Sequence, residues 1–87
     1  MPEEKIITMH PGDKPGRSVS KRKYEQMKNA IISLLRQGDL SLPEIISTLE
    51  TSLKDSFFDN ISWYAEVVIL DLEARGIISK LDKYHLV

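Results

Sequence analysis

Three stretches of the chain repeat apolar residues at intervals of three and four. Tyr24, Met27, Ile31, Leu34 and Leu35 make the first, one face of a helix with 3.6 residues per turn. Ser20 precedes it as an N-cap, because its hydroxyl can accept a free backbone N–H of the first turn. Val19 and Tyr24 have the spacing of a hydrophobic staple across that cap. Gly38 is expected to end the helix in the left-handed conformation. The second stretch opens with Ser41-Leu42-Pro43-Glu44. Ser41 and Glu44 spell a capping box, Pro43 sits in the first turn where its missing N–H costs little, and Leu40 with Ile45 repeats the staple. Its buried stripe is Ile45, Ile46, Leu49 and Leu53. Residues 54–60 connect to the third stretch and carry Phe57 and Phe58, both expected to pack under the helices. A third helix is predicted over residues 61–75, with Gly76 as its stop.

Beyond Gly76 the period changes. Residues 77–80 and 83–87 read as two short strands, with Leu81-Asp82 in the turn between them. An extended piece at Asp39-Leu40 is placed to add a third strand beside this hairpin. Ahead of the first helix, Pro11, Gly12, Pro15 and Gly16 break any regular pattern, although Ile6, Ile7 and Met9 can anchor an extended segment. The expected organisation is therefore an N-terminal arm over residues 1–17 and one domain over residues 18–87. The fold class is mainly α with a small β-hairpin, an α+β arrangement of three helices, a short C-terminal wing and an extended arm. A chain of 87 residues has room for one core and no second domain.

The third helix is apolar on two sides. Ile61, Ala65, Val68, Ile69 and Leu72 make one face, which must be the core. Trp63, Val67, Leu70 and Ala74 make a second stripe roughly opposite. Glu66 and Glu73 border that stripe on one side, and Tyr64, Asp71 and Arg75 on the other. A Trp, a Val and a Leu in a row are seldom left to water. Three readings of the stripe follow: the arm folds back over it, it is a homodimer or partner interface centred on Trp63, or it walls a small-ligand pocket.

Charge adds a second asymmetry. Eight basic and four acidic residues precede position 37, while four basic and nine acidic residues follow, for a net charge of −1. Lys14, Arg17, Lys21, Arg22, Lys23 and Lys28 gather around the start of the first helix, where cations oppose the helix dipole. Either this is a solvated charged face or something neutralises it, a nucleic-acid phosphate or a second subunit's acids being the candidates. Cysteine is absent, which excludes disulfides and thiolate metal sites and fits a cytoplasmic setting. The longest strictly apolar run, residues 67–70, is far too short to cross a bilayer, and the first ten residues lack a secretory signal's apolar core.

Nothing in the sequence has the spacing of a catalytic centre. His10 and His85 have no carboxylate or nucleophile at motif spacing, no zinc-ligand set occurs and no glycine-rich phosphate loop appears. Asp71 and Arg75 form a favourable i,i+4 pair and read as structural. A non-enzymatic domain without cofactor or metal is expected.

The element order together with Val68-Ile69-x-x-Leu72-Glu73-x-x-Gly76-Ile77-Ile78 resembles the winged helix-turn-helix superfamily over residues 20–87. Trp63-Tyr64, the run Asp71-Leu72-Glu73-Ala74-Arg75-Gly76 and an arm with Met9-His10-Pro11 resemble more narrowly a family of small uncharacterised bacterial proteins. The superfamily resemblance implies DNA binding, with Ser62, Trp63, Val67 and Leu70 of helix three facing the major groove and Asp82 and Lys83 at the wing tip. The residues themselves depart from that role: base edges are read by Arg, Lys, Asn or Gln, and phosphates would repel Glu66, Asp71 and Glu73. Two function classes therefore stand. One is a transcription-regulator-like module contacting DNA backbone phosphates through the six cations above and Lys83. The other is a protein-interaction or homodimerisation module using Trp63, Val67, Leu70 and Ala74.

Overall fold

Each helix begins where the chain supplies a side-chain acceptor for its free N–H groups. The computed structural model describes residues 4–10, 12 and 16–87. Helix α1 (Lys21–Gln37) starts at Ser20, whose hydroxyl accepts the Lys23 N–H at 3.3 Å. Helix α2 (Leu42–Ser52) starts at Ser41 with both bonds of the capping box formed. The Glu44 N–H donates to the Ser41 hydroxyl at 3.4 Å, and the Ser41 N–H donates to Glu44 Oε1 at 3.2 Å. Helix α3 (Ile61–Ala74) starts at Asn60, whose Oδ1 accepts the Trp63 N–H at 2.9 Å.

Glycine ends two of the three helices, α1 and α3, each in its own way. Gly76, at φ 74°, is left-handed. It lets its own N–H reach the Glu73 carbonyl at 3.1 Å and the Ile77 N–H reach the Leu72 carbonyl at 2.9 Å, the paired bonds of a Schellman stop. Gly38 also ends its helix, but at φ 159° and ψ 168° it leaves in an extended direction rather than the expected left-handed one. That direction carries Leu40 to Tyr84, where two backbone bonds of 3.2 and 2.8 Å form an isolated antiparallel bridge. Strands β3 (Ile78–Lys80) and β4 (Tyr84–Leu86) pair antiparallel, Ile78 opposite Leu86. Leu40 thus supplies the third, one-residue strand expected beside the hairpin.

The core lies between α1, α2 and α3, closed at one end by the hairpin. Met27, Ile31, Ile45, Leu49, Ala65, Val68, Ile69, Leu72 and Ile78 are all at most 1% exposed. Most residues of the expected core stripes are buried, while Leu34, Ile46, Leu53 and Ile61 pack half-buried at the edge of the core. Phe57 is buried and meets the Tyr64 ring edge-on at 5.2 Å between centroids. Its neighbour Phe58 is 83% exposed, against expectation. Consecutive residues in the connection point opposite ways, so only one of the pair can reach the core.

The segment read as an extended arm is half of a second hairpin. Strand β1 (Lys5–Ile7) pairs antiparallel with strand β2 (Ser18–Ser20), Ile6 opposite Val19. Val19 and Ile6 turn inward, while Ile7 is 70% exposed. Past the strands, the Thr8 N–H bonds the Arg17 carbonyl at 2.8 Å and the Arg17 N–H bonds the Thr8 hydroxyl at 2.9 Å. Gly16 makes this closure feasible: a Cβ there would lie 1.5 Å from the Thr8 carbonyl oxygen and 2.6 Å from its carbon. Backbone cannot yield as a flexible side chain can, so Gly16→Ala is expected to cost about 1–3 kcal/mol of stability in urea denaturation. Gly12→Ala, whose nearest neighbours are the His10 ring atoms at 3.4 and 3.5 Å, is the control and should stay within ~0.5 kcal/mol.

Candidate binding groove and its buried clasp

Asp71 lies on α3 between half-buried Leu70 and buried Leu72, and is itself 0% exposed. A carboxylate out of water is tolerable only when donors meet its oxygens. Three segments supply them. From α1, the Tyr24 hydroxyl donates to Oδ2. From one turn further along α3, the Arg75 Nε–H is shared between Oδ1 at 3.0 Å and Oδ2 at 2.9 Å. From the N-terminal segment, the Met9 N–H donates to Oδ1 at 2.7 Å. The i,i+4 pair read from sequence is therefore real and structural, but Asp71 is not the surface anion that the border of the outer stripe implied. It clasps the N-terminal segment to α1 and α3.

The clasp fixes where that segment runs. Thr8, Met9, His10, Gly16 and Arg17 form one wall of a groove of about 370 Å³, and Trp63, Glu66, Val67 and Leu70 of α3 form the rest. The segment flanks the outer stripe instead of sealing it. Trp63 stays 40% exposed and Met9 45%, while Val67, Leu70 and Ala74 are half-buried. The Trp63 indole rests edge-on against Tyr64, with centroids 5.1 Å apart. Glu66 and Leu70 also line a smaller hollow of about 190 Å³ with Leu42, Ile69 and Tyr84. Glu66 thus stands on the ridge away from the N-terminal wall. It and Glu73 help raise the Tyr84 phenol pKa, after burial, which is the larger cause.

The wall opposite carries donors. The Gly12 N–H bonds His10 Nδ1 at 2.9 Å, which leaves the imidazole proton on Nε2. Among the described residues, the Arg17 guanidinium and the Glu66 carboxylate have no ion-pair partner, with each other or elsewhere.

The structure pairs part of the basic cluster with carboxylates. Lys21 pairs with Glu4 at 3.2 Å, Lys23 with Asp59 at 2.9 Å, and Lys83 with Glu44 at 3.9 Å. The Glu4 hydrogen bond raises the Lys21 pKa, and Lys23 lowers that of Asp59. Neutralisation of the first turn of α1, which the sequence left open, comes in part from the chain's own carboxylates. Arg22 is exposed and Lys28 half-buried, without an ion pair among the described residues. Lys14 lies outside the described residues. Of the positions that the superfamily resemblance turned toward DNA, Trp63, Val67 and Leu70 line the groove, Ser62 is half-buried beside them, and Asp82 and Lys83 are exposed. Sequence reasoning missed Thr8, Gly16 and Tyr24 as site-building residues. The Pro-Gly segment between residues 11 and 16, long enough to turn a hairpin back on itself, was the one available signal.

Among the described residues no group of three His, Cys, Asp or Glu is placed to hold a metal ion, and no helix is long and apolar enough to cross a membrane.

Asp71→Asn keeps the size but turns an N–H toward Arg75. It should cost about 1–3 kcal/mol and speed hydrogen exchange at the Met9 amide. Burial and the Asp71 bond push the Tyr24 pKa up to about 12, from an ordinary value of 10.0. Folding therefore favours the protonated phenol, and that contribution is complete below pH 10 and lost as pH rises to about 12. Urea denaturation should show stability falling across this window, and falling less steeply in Tyr24→Phe.

The profile of a Family of unknown function (DUF6958) matches residues 5–86, nearly the whole chain, and the chain belongs to that family. No curated protein and no solved structure matches it.

Proposed function

We propose that this member of the DUF6958 family is a non-enzymatic protein-interaction module on a winged-helix type of scaffold, receiving its partner in the groove beside α3. The observation that carries this reading is the groove itself: a half-exposed Trp63 over Val67 and Leu70, faced by a wall that a buried clasp holds in place. Partially exposed aromatics in apolar depressions are the usual anchors of protein interfaces. The scaffold reading draws support from the element order, the capping box of α2, and the bridge of Leu40 to the C-terminal hairpin. One feature differs from the ordinary helix-turn-helix: residues 53–60 separate α2 from α3, where a turn of three or four residues is typical. Phosphate contact is the second reading, favoured by Arg22 and Lys28, which keep no ion pair among the described residues. Against it, α3 offers the groove an indole, two aliphatic chains and a carboxylate, none of which suits a base edge or a phosphate.

Selection from a random peptide library separates the readings. The protein should enrich peptides with an apolar anchor, and Trp63→Ala, checked for folding by circular dichroism, should bind them at least tenfold more weakly. Random duplex DNA at low salt should not shift at micromolar protein. A library that yields nothing beyond the Trp63→Ala control would overturn the interaction reading, and a DNA shift abolished by Arg22→Gln would establish the second.

A further inference from the structure

The groove holds two opposite charges that do not meet. Arg17 stands on the N-terminal wall with His10, whose Nε2 proton is free to donate because Nδ1 is occupied by the Gly12 N–H. Glu66 stands on the far ridge. Between them lies an apolar floor of Val67 and Leu70, with Trp63 and Met9 beside it. An occupant that satisfies all of these carries an anion on one side, an N–H donor on the other, and an apolar side chain between. The last residue of a polypeptide has that constitution: a free carboxylate, a backbone N–H, and one side chain on the carbon that joins them.

We propose, resting on the interaction reading above, that the groove binds the C-terminal residue of a partner polypeptide when that residue is large and apolar. Arg17 and His10 Nε2–H hold the carboxylate, Arg17 by a charge-assisted bond of the kind that planar guanidinium groups make. Glu66 accepts the N–H of the terminal residue. The terminal side chain lies on Val67 and Leu70 against the Trp63 indole. A groove of about 370 Å³ is sized for one large residue rather than for a whole helix. Its walls are set before binding, since Asp71 anchors Met9, and Gly16 sits against Thr8 with no room for a side chain. The ordering left to oppose the occupant is that of exposed side chains such as Arg17 and Glu66, not of the wall's backbone at Thr8, Met9 and Gly16.

Trp63 is the only tryptophan, so its fluorescence reports the site directly. The probes are acetylated hexapeptides ending Gly-Ser-Ala-Leu as the free acid, the same peptides as C-terminal amides, a version ending in Asp, and N-acetyl-leucine. The free acid ending in Leu is expected to saturate the signal, with the amide and the Asp version at least tenfold weaker. Arg17→Gln, which leaves the backbone bonds to Thr8 in place, should lose most of the preference for acid over amide. Equal binding of acid and amide by the unmodified protein would overturn the chain-end assignment. N-acetyl-leucine carries the same carboxylate, N–H and side chain and is expected to bind no more tightly than the peptide; if it binds at least tenfold more tightly, this is a site for small apolar acids and the chain-end assignment fails. If no probe binds while the peptide library still yields Trp63-dependent binders, the chain-end assignment alone fails. If the library also yields none, the interaction reading fails with it.

Discussion

A carboxylate with no exposure to water is costly unless its oxygens are met on every side, and the arrangement of this molecule follows from how Asp71 meets that demand. Its donors come from residues 9, 24 and 75, which belong to three separate parts of the chain. Arg75 alone would be an ordinary helical pair and would leave the N-terminal segment free. Tyr24 ties the carboxylate to α1, and the Met9 N–H ties it to a backbone that has no other contact holding it at this point on α3 among the described hydrogen bonds. Taking the three together, the cost of burying the charge is offset only when the hairpin at the chain start has docked. The clasp is thus a condition on the fold and not an ornament of one helix.

The groove is the consequence. A two-sided apolar helix can bury its second side by having a strand laid over it, and Ile6, Ile7 and Met9 have the composition for such a cover. The clasp instead holds the strand beside the stripe. Ile6 turns to the core, Ile7 turns to water, and Met9 reaches only the edge of the depression. Trp63 is left half-open with a cation and an anion on opposite rims. This surface combines apolar area with polar groups, as the proposed interaction site requires.

Electrostatics points the same way. Lys21, Lys23 and Lys83 face Glu4, Asp59 and Glu44 within 4 Å. Exposed pairs of this kind add little stability, but they lower the field that the cluster presents to a polyanion. Of these pairs only Lys23 with Asp59 joins a cation of the basic first half to an acid of the second; Lys21–Glu4 lies within the first half and Lys83–Glu44 within the second.

Local features were legible without the structure. The caps at Ser20 and Ser41, the apolar stripes of all three helices and the stop at Gly76 depend on residues within a few positions of each other, and their chemistry does not wait on the rest of the chain. The second stripe of α3 was equally visible, so the candidate interface residues Trp63, Val67 and Leu70 were found from spacing alone. Other features were decided by contacts between distant positions. Asp71 looked like a surface acid because helical spacing cannot show that a backbone N–H sixty-two residues earlier will arrive to meet it. Phe57 and Phe58 are chemically the same, and only the path of the connection between α2 and α3 chose which one to bury. Lys23 found Asp59 across thirty-six residues. Sequence determines what each segment can bury and how its ends are capped. Whether the outer stripe of α3 became core, surface or groove was settled by where the N-terminal hairpin docked, because burial of a charge is a property of all the segments around it at once.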